Sequence, residues 1–214
     1  MYKGNENLIN NGQYLDVTIQ DYWQWAYSNL LQNMQRGNFT EFIVKTALES
    51  AGIHSNDGLK KDLAPYDLNG PIIKSTGKQS RIEVKSAAKV QLWDIKHPDR
   101  LTFSIAPASV PDESGDYNDY APKQRNNDLY VFAVYTATDR RCNVLDLTWW
   151  EFYVISTYKL ESDEKFKQCK TISLQSVQSL SQRYLFDSLA EGIVSACNEI
   201  PSSFEHYTIL RDQT

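Results

Sequence analysis

One segment, DLYVFAVYTA at residues 128–137, constrains the fold more than any other part of the chain. It is apolar almost without interruption, which predicts a central β-strand covered on both faces. Around it the pattern changes. RIEVKSA at residues 81–87 alternates, with Ile82 and Val84 pointing one way and Glu83 and Lys85 the other. LTFSIAPA alternates as Leu101, Phe103 and Ile105, and WWEFYVIST is a further strand candidate. A short strand around Tyr66-Asp67-Leu68 is expected to run into a turn at Asn69-Gly70-Pro71. Gly77 stands in the polar stretch where a hairpin would turn toward Glu83.

Helical periodicity flanks these strands. The first dozen residues, rich in Asn and Gly, suggest a loose leader over residues 1–17. Thr18-Ile19-Gln20-Asp21 resembles a capping box. A helix is predicted from there through DYWQWAYSNLLQNM, with Trp23, Tyr27, Leu30, Leu31 and Met34 on one face. Arg36-Gly37-Asn38 is expected to break it. A second helix follows in NFTEFIVKTALESA and ends at Gly52. Its apolar arc (Phe39, Phe42, Ile43, Val44, Ala47, Leu48, Ala51) is wide enough to pack on a sheet, and Glu41 lies at its rim. ISLQSVQSL and YLFDSLAEGIVSAC are expected to be helical. Residues 107–127 have no periodicity, and a connection that long is often functional. These signals predict one α/β domain over residues 1–214: a central mixed β-sheet flanked by α-helices, with its core at 18–135 and a C-terminal strand and helices at 136–214.

Composition excludes more than it assigns. No apolar run approaches the ~18 residues that span a bilayer, and the first residues lack an apolar signal core. The expectation is a soluble, intracellular protein of the cytoplasm with no membrane partner. Cys142, Cys169 and Cys197 are scattered and odd in number, with no CxxC pattern, so neither a disulfide framework nor a zinc site is expected. The net charge of −5 is unevenly spread. Residues 60–125 hold 11 Lys and Arg against 9 Asp and Glu, a net of +2, which leaves −7 for the rest. A mildly basic middle is compatible with a local phosphate-binding surface, and equally with ordinary solvated charge.

The chemistry concentrates at Glu83-Val84-Lys85. Residues i and i+2 of a strand share a face roughly 6–7 Å apart, so Glu83 and Lys85 project side by side. A neighbouring strand ending at Asp67 can bring a second carboxylate beside Glu83. Two carboxylates and an ammonium group suit phosphodiester hydrolysis. A hard divalent metal takes oxygen ligands and lowers the pKa of a bound water, and a nearby cation steadies the phosphate. Taken alone, an acid-x-Lys triplet more often marks an ion pair on a sheet face.

The order of a helix with Glu41, then APYDL with Asp67, then IEVKS with Glu83 and Lys85, resembles the PD-(D/E)XK nuclease superfamily. RGNFTEFIVKTAL, YDLNG, IEVKSAAKVQLW and DLYVFAVYTA also resemble uncharacterised bacterial members, and the match covers roughly residues 20–135. Tyr66 stands where that superfamily's Pro would be, with Pro65 one position earlier. The resemblance implies a restriction-endonuclease-like fold and Mg²⁺-dependent hydrolysis of DNA, in restriction, defence or repair, with Mn²⁺ able to substitute. Asp67 and Glu83 would ligate the metal with the Val84 carbonyl. Lys85 would position the water and touch the phosphate, and Glu41 would hold a metal-bound water or second metal. A homodimer is plausible because double-strand cutting needs two sites. The alternative is a nuclease-fold nucleic-acid-binding or assembly subunit without catalysis.

Further substrate contacts are expected from Ser86, Lys89 and Gln91 after the triplet, and from Lys123 and Arg125 as a DNA clamp at the end of the long connection. Lys96 and Arg100 could track a nucleic-acid backbone or form a solvated face, and packing is the preferred role for Trp93. Trp149 and Trp150 are assigned to core or an interface.

Overall fold

The fold is a computed structural model that describes residues 1–55, 60, 64–92, 97–109 and 123–204. In chain order its elements are β1 (Asn7–Asn10), β2 (Gln13–Thr18), α1 (Ile19–Tyr27), α2 (Asn33–Ser50), β3 (Leu68–Ile72), β4 (Gln79–Ala88) and β5 (Thr102–Ser104). There follow β6 (Leu129–Tyr135), β7 (Trp150–Ser156), α3 (Thr157–Ser162), β8 (Thr171–Ser173), α4 (Leu174–Leu180) and α5 (Phe186–Asn198). Trp93 and Lys96 lie outside the described residues, as does most of the long connection.

All seven residues of β6 are buried, as the apolar run requires. The main sheet has the order β3-β4-β6-β7. β4 pairs with β3 antiparallel and with β6 parallel, and β6 pairs with β7 antiparallel, so the sheet is mixed. One face presents Ile82, Val84, Leu129, Val131, Ala133, Phe152 and Val154 to α2 and α5. The other face presents Ala87, Tyr130, Phe132, Val134, Tyr153 and Ile155 to a cluster built from β5, β8, α3 and α4. A strand covered on both faces thus sits between two cores. Trp150 is fully buried between Phe39, Tyr135 and Phe152, while Trp149 is partly exposed. No helix among the described residues is long and apolar enough to cross a membrane.

Four expectations are corrected. The leader at 1–17 is not loose: β1 and β2 form an antiparallel hairpin around Asn11-Gly12. Both turn residues have positive φ, +50° and +78°, as a two-residue turn of the favoured hand demands. The first helix does begin on a Thr18–Asp21 capping box, but it ends at Tyr27. The face expected to be buried is exposed, with Trp23 at 38% and Tyr27 at 46%, and α1 has no buried residue.

Arg36-Gly37-Asn38 does not break a helix but lies inside α2. A helical Gly costs about 1 kcal/mol against Ala. Burial of Arg36, Thr40, Ile43, Val44, Ala47 and Leu48 outweighs that cost. The Arg36 guanidinium donates to the Leu31 carbonyl, Asn33 Oδ1 and Ser86 Oγ, which ties α2 to β4.

Asn69-Gly70-Pro71 is not a turn but part of β3. β3 is the sheet edge, where a Pro lacking its N–H is tolerated. The turn comes later. Gly77, at φ +71°, donates to the Ile73 carbonyl at 2.8 Å and reverses the chain into β4.

Gly70 is required by close approach. A Cβ there would stand 2.5 Å from Ser80 Oγ and 2.7 Å from Ile82 Cδ1. Gly70→Ala is expected to destabilise the fold by about 1–3 kcal/mol, the usual cost of overpacking. A lowered urea midpoint at unchanged slope is the readout.

Candidate active site

The site is built where β3 stops and β4 continues. β3 begins at Leu68, whose partner is Ile82, so among the described residues β4 from Glu83 onward has a strand neighbour on the β6 side only. Asp67 takes over the missing ladder. Its N–H donates to the Ile82 carbonyl at 2.9 Å, and its carboxylate accepts from the Val84 N–H at 2.8 Å. A strand residue's N–H and C=O point to the same side, so the Val84 carbonyl also faces this open edge.

Glu83 and Lys85 project from the opposite faces of the pleat to Val84 and form an ion pair with each other. Glu41, on α2, pairs with Lys60 at 2.6 Å. The sheet edge is thus approached from the helix layer by Glu41, from the strand end by Asp67, and from within β4 by Glu83 and Lys85.

The acids feel one another. Burial pushes the Glu83 carboxyl above the ordinary carboxylate range, and the Asp67 charge pushes it further, against the pull of Lys85. The Glu41 carboxyl is likewise raised, first by burial and then by Asp67, with Lys60 pulling the other way. The donor set is oxygen only, which suits a hard divalent cation. In their present positions the side chains are drawn to their own cations: among the described residues, no three acidic, imidazole or thiol groups stand close enough to hold a metal together.

The chain matches no protein-family model, no curated protein and no solved structure.

The outlying contacts fare differently. Ser86 is not beside Glu83 and Lys85. It lies on the α2 face, where its Oγ is 3.3 Å from Arg36 Nε and 3.2 Å from Thr40 Oγ1, so it is part of the helix–sheet seam. Lys89 lies about 13 Å beyond Lys85 along the strand direction. Gln91 follows it, and its carbonyl accepts from Arg140 Nε. The structure does not bring either to the acids. Lys123 is exposed.

Arg125 is not a free clamp. It is only 3% exposed, and its guanidinium donates to the carbonyls of Ile105, Phe166, Lys167 and Cys169. A cation spent on four carbonyls has nothing left for a phosphate backbone.

Sequence reasoning missed the other wall of the site. Glu83 and Lys85 line a cleft of about 60 Å³ together with Ser104, Asn126, Asn127 and Tyr130. Tyr130 is the register partner of Glu83 across β4 and β6. Burial pushes its phenol pKa up, so it is a proton-bearing group at any working pH. Arg125, Asn126, Asn127 and Asp128 are all buried, an unusual run of polar side chains. Lys60 was also missed, since no local pattern links it to Glu41 nineteen residues earlier.

Two outcomes follow. In the folded chain the raised pKa of Glu83 means that its ionised form is a net cost above that pKa, a cost absent below the ordinary value of 4.5. Glu83→Gln is expected to raise the urea midpoint at about pH 8 and to lose that gain as the pH falls through the raised pKa toward 4.5. A wild type more stable than the variant at alkaline pH would contradict the electrostatics. Arg125→Met is expected to lower stability by at least about 3 kcal/mol, because it strands buried carbonyls without a donor. A simple clamp would instead lose DNA affinity with its melting temperature unchanged.

Proposed function

We propose that this chain is a Mg²⁺-dependent endonuclease of the PD-(D/E)XK type that hydrolyses DNA phosphodiester bonds. The observation that carries the reading is the meeting of Asp67 with Glu83, Lys85 and the Val84 carbonyl at one open sheet edge, with Glu41 close enough to feel both acids. A structural ion pair on a sheet face accounts for Glu83 and Lys85. It does not account for a second and third acid, Asp67 and Glu41, held near them at an electrostatic cost.

Asp67, Glu83 and the Val84 carbonyl would hold the cation, with Glu41 behind them. When bound, it supplies charge neutralisation and an acidified water. Lys85 then has two tasks that need no metal: its ammonium group balances the phosphate and orients the attacking oxygen. Hydrolysis forms one bond from water oxygen to phosphorus and breaks one from phosphorus to a bridging oxygen. The water's proton leaves to solvent, and the departing oxygen takes one up. Glu83 is the ion-pair partner of Lys85, so with Glu83 holding a cation Lys85 would be available for the phosphate.

A nucleic-acid-binding or assembly subunit that keeps this fold and cuts nothing is the second reading. It is favoured by the absence, among the described residues, of three ligands already gathered on one point.

Supercoiled plasmid incubated with Mg²⁺ is expected to be nicked and linearised, and EDTA should stop it. Asp67→Ala, Glu83→Ala and Lys85→Ala should each slow the conversion by about 100-fold or more. Nicking that survives the Asp67 and Lys85 changes removes these residues from the mechanism. Plasmid binding without cleavage, unaffected by Mg²⁺ and by Asp67→Ala, supports the subunit instead.

A further inference from the structure

The cleft beside Glu83 and Lys85 has a wall that the motif does not explain. Asn126 is 6% exposed, and its Oδ1 has no hydrogen-bond partner among the described residues. Its Nδ2 faces the Ala108 carbonyl at 3.4 Å, which sets the amide's orientation and leaves the oxygen as the open acceptor. A buried acceptor left unpaired costs free energy, and native structures usually satisfy it with protein or an ordered water.

The neighbours of Asn126 are all accounted for. Arg125 is clamped on carbonyls, and Asn127 Nδ2 donates to the Leu129 carbonyl and Thr157 Oγ1. Asp128 accepts from Arg81 through both Nε and Nη2 at 3.0 Å and from the Arg81 N–H at 2.8 Å. The backbone on each side of Asn126 is therefore anchored, to the β5 and α3 region by Arg125 and to β4 by Asp128. The anchoring holds one amide rigidly at the cleft wall with its oxygen unused.

The space admits water. A cleft of about 60 Å³ has room for ordered water. A water there needs two to four polar partners. Asn126, Lys85, Glu83 and Tyr130 all line the space, and each carries a polar group.

We propose that this cleft seats the water that attacks the phosphodiester, with Asn126 Oδ1 accepting one of its hydrogens and fixing its direction of approach beside Lys85. The inference rests on the nuclease reading and adds a positioning residue to it. Asn126 takes no proton, since an amide is not a base at working pH. It restricts the orientation of a water whose oxygen lone pair must face phosphorus, and misplacement by about 1 Å typically costs about 100-fold in rate.

Two measurements test it. A high-resolution crystal structure of the metal-free wild type is expected to show an ordered water about 3 Å from Asn126 Oδ1, within reach of Lys85. In plasmid cleavage with Mg²⁺, Asn126→Ala is expected to lower kcat by about 10–100-fold. KM, plasmid binding in Ca²⁺ and the melting temperature should stay close to wild type.

An active wild type with a dry cleft overturns the proposal alone. So does an Asn126→Ala variant that cuts at the wild-type rate, or one whose kcat falls only together with its melting temperature. A wild type that cuts nothing while the water is present overturns the nuclease reading itself, and with it the water's role.

Discussion

A strand whose seven residues are all buried must be covered on both faces and paired on both edges, and β6 imposes that demand on everything around it. Its parallel partner β4 inherits a fixed register, Ile82 to Leu129 through Ala88 to Tyr135. That register decides which side chains of β4 enter which core. Ile82 and Val84 go to the α2 and α5 side, so Glu83 and Lys85 must go to the other. A slip by one residue would bury a carboxylate and an ammonium group against α2 and expel two aliphatic side chains. The polar pair is held in place by the apolar residues that alternate with it.

Within that frame the acids are arranged at a cost. Glu41 and Glu83 both sit where burial and the Asp67 charge work against ionisation, and each is relieved in part by a lysine. Such crowding is a frequent property of functional sites, where perturbed carboxylates recur. The arrangement is economical in another respect: Asp67 completes the backbone pairing of β4 and contributes charge to the same edge with one side chain.

The parts visible in the sequence were those governed by short-range periodicity. Alternation in RIEVKSA and continuity in DLYVFAVYTA reported strand identity, facing and burial, because period 2 and full burial leave a direct signature. Turn residues misled where the environment decided. Asn69-Gly70-Pro71 has turn composition, but an edge position and a close approach by Ser80 and Ile82 put it in a strand. Asn11-Gly12 carried the hairpin signal in full, yet its exposed strands lack the apolar alternation that would have drawn attention to them. The Trp23-to-Met34 stripe spanned two helices because a spacing that fits 3.6 residues per turn does not report a break between them. Asn126 and Lys60 could not be found locally at all. Their partners come from segments far along the chain, and an unpaired acceptor exists only once the chain has folded.

The bond from Val84 N–H to Asp67 has a consequence for how such a fold can age. The hydrogen bond requires an oxygen acceptor, whereas holding a cation requires a negative charge, and an asparagine supplies the first without the second. The ladder would stay closed after that exchange, while the proposed cation site would lose a ligand charge. If the proposed chemistry holds, a lineage can part with it through a single nitrogen and keep a well-formed sheet. Possession of this architecture by a relative would then be no guide to whether it cuts.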